Sequence, residues 1–260
     1  MNVNYTNTKV ITVATHNEGN LIDLLNNPYG IDIIVLGYGR KWTGFKMKFE
    51  LIYDYVKDLP DDTLIIFIDG FDSEIKKPLE DAVHTFKTKQ YKLLFSKDLP
   101  KTNCITKMLS SRFKVCKYNK VANTGLYMGY VKYIKIFLKK CLAYKCKDDQ
   151  IILNSICSEL DFLDMDMEEE IFQNTTNQYN NKAVFISHPG NVLNFNRLKR
   201  SIFEYRNGFI LFTLFLYLSF SSVILFYSKN KDIKVIGFGF ILLLFIYVIV
   251  NMDYSCKCLI

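Results

Sequence analysis

The sequence has no internal repeat, no low-complexity tract and no Cys-x-x-Cys pair. Its seven cysteines, at positions 104, 116, 141, 146, 157, 256 and 258, therefore lack the paired spacing of a zinc site. An odd number without a framework predicts mostly reduced thiols rather than structural disulfides. No Lys/Arg-rich block with interleaved aromatics occurs either; the net charge of +7 comes from scattered lysines, so no nucleic-acid partner is expected. The polar start, Met1 to Lys9, is not the pattern of a secretory signal peptide. Histidine and tryptophan are scarce, three and one, so each can be weighed singly.

What is present is a chain of two characters. Residues 1–200 mix polar and apolar residues in short blocks, whereas 208–252 are almost wholly apolar. The first part has the length of one α/β domain. Its central stretch is Thr63-Leu-Ile-Ile-Phe-Ile-Asp69-Gly-Phe-Asp72. The run of branched apolar residues reads as a strand buried on both faces of a parallel sheet, and it stops at two carboxylates three residues apart. Ligands of open α/β sheets bind beyond the carboxyl ends of the strands, where two such acids can share a hard divalent cation, Mg²⁺ or Mn²⁺. The plainer alternative is that Asp69 caps a turn and Asp72 is solvated.

Strands are predicted at 9–15, 31–36, 91–96, 123–129, 171–173 and 183–187, and helices at 21–26, 45–57, 78–86, 131–141 and 148–160. Residues 97–120 read as loop and short helix. The alternation predicts a mostly parallel sheet with right-handed crossovers and flanking helices. It also places Thr12 to Thr15, Val35 to Gly37, Asp69 to Asp72 and Asn123 to Gly125 at carboxyl ends of strands, on one edge of the sheet. Two sequons, at Asn4 and Asn174, matter for a domain that faces a lumen.

The runs 208–228 and 235–252 carry no charge and read as a two-helix membrane hairpin, dividing the chain into a soluble domain, 1–200, and a membrane anchor, 201–260. Arg197, Lys199, Arg200 and Arg206 precede the first span, against Lys229, Lys231 and Lys234 in the connection. This balance, with the missing signal peptide and the unpaired cysteines, favours a cytoplasmic soluble domain on a membrane. A host endomembrane is one candidate.

Several residues could carry chemistry, each with a plainer role beside it. Lys46, one turn into its helix, could reach phosphate oxygens or remain a surface charge. Trp42 sits in a glycine-rich loop, where its ring could stack on a sugar or anchor the loop. Asp148-Asp149-Gln150 opens a helix; one acid suffices as a cap, leaving a group for a substrate hydroxyl. His188, on a turn after a strand, could complete a metal site with the two aspartates, and His16, near the first strand's end, could touch a nucleotide. His84 reads as an ordinary helix residue.

Taken in order, Thr12-Val-Ala-Thr15, Val35-Leu-Gly37, Trp42-x-Gly44, Lys46, Phe67-x-Asp69-x-x-Asp72, Asn123-x-Gly125, Asp148-Asp-Gln150 and His188 resemble the glycosyltransferase domain of the procollagen lysyl hydroxylases and their virus-encoded relatives. The resemblance covers about residues 9–195. It implies a GT-A-type fold that uses Mn²⁺ and a UDP-sugar to glycosylate hydroxylysine in collagen. By position, Asp69, Asp72 and His188 would hold the metal, and Phe71 would stack on uracil. Lys46 and Asn191 would meet the diphosphate, and Asp148, Asp149 and Trp42 would lie on the sugar or acceptor side. Thr15, Gly37, Asn123 and Gln150 belong to the same nucleotide-sugar surface. The sequence departs from the family after the histidine, with Pro189-Gly190-Asn191 in place of Gly-Asn-Gly, and its loop between Trp42 and Lys46 is shorter. No hydroxylase activity or Fe(II) is implied.

The expected function is thus a membrane-anchored, metal-dependent transferase moving a hexose from a UDP-sugar to an acceptor hydroxyl, with Asp148 or Asp149 as the acid–base group. The rivals are a catalytically inactive GT-A-like scaffold and a phosphohydrolase. The latter favours acids two apart, not the three found here.

Overall fold

The computed structural model describes residues 7–99, 113–175, 179–189, 206–227, 241–244 and 246. The chain divides into two compact units, Met1–Asn191 with Cys258–Ile260, and Val192–Lys257. All strands among the described residues lie in the first unit.

In chain order the first unit contains β1 (Thr8–Val13), α1 (Leu21–Leu25), β2 (Ile33–Leu36), α2 (Lys46–Val56), β3 (Leu64–Ile68), β4 (Ser73–Ile75), α3 (Leu79–Thr88), β5 (Leu93–Lys97), β6 (Ala122–Tyr130), α4 (Val131–Ala143), α5 (Asp149–Ile156), β7 (Leu163–Asp166), β8 (Phe172–Asn174) and β9 (Phe185–Ser187). Six strands form the main sheet in the order β2-β1-β3-β6-β5-β7. β1 runs parallel to β2 and β3, and β5 parallel to β7, while β6 is antiparallel to both β3 and β5. The sheet is therefore mostly parallel, with one reversed strand near its centre.

The reversal corrects one detail of the sequence expectation. Asn123 to Gly125 reach the functional edge at the start of β6, not at its end, because β6 enters where its neighbours leave. β3 is buried throughout, as its unbroken apolar run requires. On one face, Phe67, Tyr127 and Phe95 are register partners across β3, β6 and β5, with ring centroids 5.0 and 4.9 Å apart. Phe137 of α4 meets Phe95 edge-on at 5.2 Å, and Phe49 of α2 meets Phe137 at 5.4 Å. Each such pair adds about 0.5–1.5 kcal/mol beyond burial. The opposite face packs Val10, Ile66, Leu94 and Met128 against Phe86 of α3 and Phe172 and Phe185 of the second sheet.

Tyr127 is fully buried and its hydroxyl has no hydrogen-bond partner. Burial pushes its pKa well above the usual value, with Cys141 and Asp149 adding to the effect. A buried unpaired hydroxyl costs stability. Tyr127→Phe is therefore expected to raise unfolding free energy by about 1 kcal/mol, measured by urea titration.

The second sheet, β4-β9-β8, pairs β4 antiparallel and β8 parallel to β9. β4 and β7 were not expected from sequence: Ser-Glu-Ile and Leu-Asp-Met-Asp carry no apolar run. Asn174, the described sequon asparagine, is buried at the end of β8. Its amide donates to Ser96 Oγ at 3.0 Å and to the Lys97 carbonyl at 2.7 Å, so it offers no surface for glycosylation. Asn4 lies outside the described residues.

The cysteine expectation is overturned. Cys116, ahead of β6, is disulfide-bonded to Cys157, just after α5, with Cα atoms 5.3 Å apart. Cys146 is disulfide-bonded as well, whereas Cys141 is free and buried. The bonded partners are 41 residues apart, and spacing rules see only cysteines that are close in sequence.

The second unit holds α6, Arg206–Tyr227, which overlaps the first expected span, 208–228. Among the described residues no helix is long and apolar enough to cross a membrane. The side chains of α6 are described at Ile210 and from Thr213 to Ser222, about half of what a span needs. Nearly all of 235–252 lies outside the described residues. The expected hairpin thus receives no support from the fold.

Candidate active site

Four loops meet at the edge where β1, β2 and β3 end and β6 begins. Asp69 follows β3, and its N–H donates to the Gly125 carbonyl at 2.8 Å. A Cβ on Gly125 would stand 2.9 Å from Asn123 Oδ1, so glycine leaves room for the Asn123 side chain. Asn123 Oδ1 accepts the Gly125 N–H at 2.7 Å, which fixes the turn from the other side. Phe71, two residues beyond Asp69, accepts the Asn20 N–H at 2.9 Å through its carbonyl. Gly19, at φ +56°, permits this approach: a Cβ there would stand 2.1 Å from the Phe71 oxygen. The His16 ring lies 5.4 Å from that of Phe71 and bonds Glu18 at 2.8 Å.

The second sheet supplies the next group. The His188 N–H donates to the Asp72 carbonyl at 2.8 Å, and Ser187 Oγ donates to Asp72 Oδ1 at 3.0 Å. The backbones of Asp72 and His188 are thus neighbours, but the side chains of the three expected metal ligands do not converge. His188 Nε2 lies 2.9 Å from Glu74 Oε1, with the Tyr179 ring edge-on at 5.7 Å. Among the described residues no group of three or more His, Cys, Asp or Glu side chains stands ready to hold a metal ion.

Glu74 is held by this cluster. Burial raises its pKa, but hydrogen bonds from Lys76 and His188 outweigh it and bring the pKa below the ordinary 4.5. A lowered carboxylate pKa contributes stability that is present above pH 4.5 and lost as pH falls through the lower folded value. Glu74→Gln should therefore flatten the acid limb of stability below pH 4.5, by less than about 1 kcal/mol because the group is partly exposed. Urea unfolding between neutral pH and acid checks it.

On the other side of Asp69 stands a residue that the sequence reading missed. Lys48 is 7% exposed, and its ammonium lies 2.5 Å from Asp149 Oδ2 and 3.9 Å from Asp69 Oδ2. Burial works against its charge, but Asp149, Asp69, the hydrogen bond to Asp149 and Asp72 together raise its pKa. Lys48 therefore keeps its positive charge at neutral pH. A signal was available: Phe45, Lys48 and Ile52 are spaced three and four apart, which puts a lysine on the apolar stripe of α2.

Lys46, the residue expected at the diphosphate, is engaged elsewhere. Its ammonium donates to the carbonyls of Leu142, at 2.9 Å, and Tyr144, closing the carboxyl end of α4. Asp148 caps α5, its Oδ1 accepting the Ile151 N–H at 3.0 Å. Asp149 is 4% exposed and also accepts from Thr124 Oγ1 at 2.8 Å. Gln150 follows, half-buried in the first turn. Trp42 is half-buried and edge-on to Phe45 at 5.9 Å. Thr15 bonds His16 Nδ1 at 2.9 Å, and its carbonyl accepts the Gly39 N–H at 2.9 Å, in the same loop as Gly37 at φ +83°. Asn191 lies outside the described residues.

A mostly parallel sheet thus gathers acids, a histidine and a buried lysine at one edge, where open α/β sheets place their ligand crevice. The chain belongs to the PLOD GT domain family, whose model matches residues 4–209. It is 29% identical over 187 residues to the Caenorhabditis elegans multifunctional procollagen lysine hydroxylase and glycosyltransferase, covering 64% of this chain and 25% of that protein. It is 27% identical over 190 residues to the Drosophila melanogaster procollagen-lysine,2-oxoglutarate 5-dioxygenase, again covering 64% and 25%. The chain thus spans about a quarter of the length of these relatives. The family gives it a glycosyltransferase-type function.

Proposed function

We propose that the protein is a metal-dependent hexosyltransferase that uses a UDP-sugar and an acceptor hydroxyl, with hydroxylysine of a collagen-like protein as the first acceptor to test. The observation that carries this reading is the Asp69–Asp72 turn, hydrogen-bonded to His188 and set on the same edge as Asp148 and Asp149. Two carboxylates and an imidazole suit Mn²⁺ or Mg²⁺ in kind, and the backbones of Asp72 and His188 are neighbours; His188 would leave Glu74 to join the aspartates. Bound by these three, the cation would offset charge on the departing UDP.

The chain's own groups supply the rest. Phe71, beside His16 at the mouth of the first loop, suits the face of a uracil ring. Asp148 caps a helix at the edge and is half-buried, in reach of an acceptor hydroxyl to orient or deprotonate. A catalytically inactive binding protein is the second reading, favoured by the hold of Glu74 on His188.

The same proposal puts the chain on a bilayer. Phe215, Leu216 and Phe220 of α6 are each more than half exposed, a surface that suits lipid. The Cys116–Cys157 disulfide favours an oxidising lumen for the first unit over the cytoplasmic side that the basic residues suggested.

The test is UDP release by the full chain with Mn²⁺ across a panel of UDP-sugars. Metal-dependent release stimulated by a hydroxylysine peptide supports the proposal. Absence of both UDP and Mn²⁺ binding overturns it, and binding without release from any donor favours the second reading.

A further inference from the structure

Lys48 and Asp149 form, among the described residues, an ion pair in which both side chains are under a tenth exposed, at 9% and 5%. Such pairs are not retained for stability alone, since apolar residues of similar volume often do as well. This pair joins four elements: Lys48 from α2, Asp149 from α5, Thr124 from β6 and Asp69 from the end of β3. The Phe45 ring lies 5.4 Å from the ammonium and covers it.

We infer that Lys48 is a positioning residue for the proposed transfer: its ammonium fixes Asp149, and with it the first turn of α5 and Asp148, against Asp69, while placing a permanent positive charge beside that metal-side carboxylate. The inference rests on the transferase reading and adds to it a residue outside the motif. It divides the labour of the acidic pair. Asp149, buried between Lys48 and Thr124, is the anchor. Asp148, the preceding residue, caps the same helix through Oδ1 and is held in place with it.

Two effects of opposite sign follow from removing the charge. A cation 3.9 Å from Asp69 Oδ2 opposes any second cation at that carboxylate, so its loss tightens divalent-metal binding. The freed Asp149 lets the first turn of α5 move relative to Asp69, so its loss slows turnover. A lysine of merely structural importance would weaken both together.

The experiment uses the full chain with Lys48→Met and Lys48→Arg. Mn²⁺ affinity is measured by electron paramagnetic resonance without donor, and kcat and KM for the UDP-sugar are measured separately. Lys48→Met is expected to bind Mn²⁺ about tenfold more tightly and to lose about a hundredfold in kcat, with KM changed by less than about threefold. Lys48→Arg, which keeps the charge, should return Mn²⁺ affinity to the wild-type value and recover part of kcat. Unchanged or weaker Mn²⁺ binding by Lys48→Met, or an unchanged kcat, overturns the inference. If circular dichroism shows Lys48→Met misfolded, Lys48→Arg decides: wild-type affinity with reduced kcat supports the role, and wild-type kcat overturns it. Wild-type protein that binds neither Mn²⁺ nor UDP refutes the transferase reading itself; wild-type protein that binds and turns over beside an indistinguishable Lys48→Met refutes the Lys48 role alone.

Discussion

Asp69→Asn is expected to lower metal-dependent UDP release by about a thousandfold while leaving the fold intact. The argument is local. The Asp69 backbone is pinned by the Gly125 carbonyl at 2.8 Å. Asparagine keeps that shape but removes the charge. Lys48 retains Asp149 at 2.5 Å, so no buried cation is stranded. Stability should therefore change by less than about 1 kcal/mol, and Mn²⁺ affinity should fall with the rate. Turnover within about tenfold of wild type would remove Asp69 from the metal site and with it the main support for the proposed chemistry.

The largest expected effect on stability comes from the Cys116–Cys157 bond. Breaking a cross-link between partners 41 residues apart costs about 4 kcal/mol on a chain-entropy account. The Cys116→Ser/Cys157→Ser variant should therefore melt roughly 10 °C lower, and reduced wild-type protein should melt at least as low, because reduction also breaks the bond made by Cys146. A loss below about 1 kcal/mol would mean that the segment ahead of β6 is held equally well without the cross-link.

The main sheet was legible because its strands announce themselves. Leu64–Ile68 and Ile33–Leu36 are apolar runs flanked by turn residues, and the helices between them keep an apolar stripe. β4 and β7 were not legible, since a three-residue strand and an alternating Leu-Asp-Met-Asp take their order from neighbours rather than from composition. The direction of β6 was also hidden, because a glycine-framed strand reads alike either way.

The candidate site was legible in its acids but not in its cations. Lys46 and Lys48 stand two residues apart on one helix, and which of them turns toward Asp69 depends on the carboxyl end of α4, whose carbonyls take Lys46. The turn of His188 toward Glu74 was equally hidden, since Glu74 belongs to a strand that composition does not reveal. Motif order finds residues that share an edge; it does not find their rotamers.

The reversed strand β6 also governs the order in which the sheet can be assembled. β1, β2 and β3 pair among themselves within residues 8–68, but the free edge of β3 waits for residues 126–130. β5 waits longer in effect, because both of its partners, β6 and β7, are synthesised after it. A nascent chain that has emerged only as far as Lys97 therefore exposes the free edge of β3 and both edges of β5 with nothing to pair them. Each must be joined across a long loop, at a rate limited by chain closure rather than by local propensity. The element that brings Asn123 and Thr124 to the active edge is thus also the one whose late arrival is expected to slow folding and to leave an aggregation-prone interval.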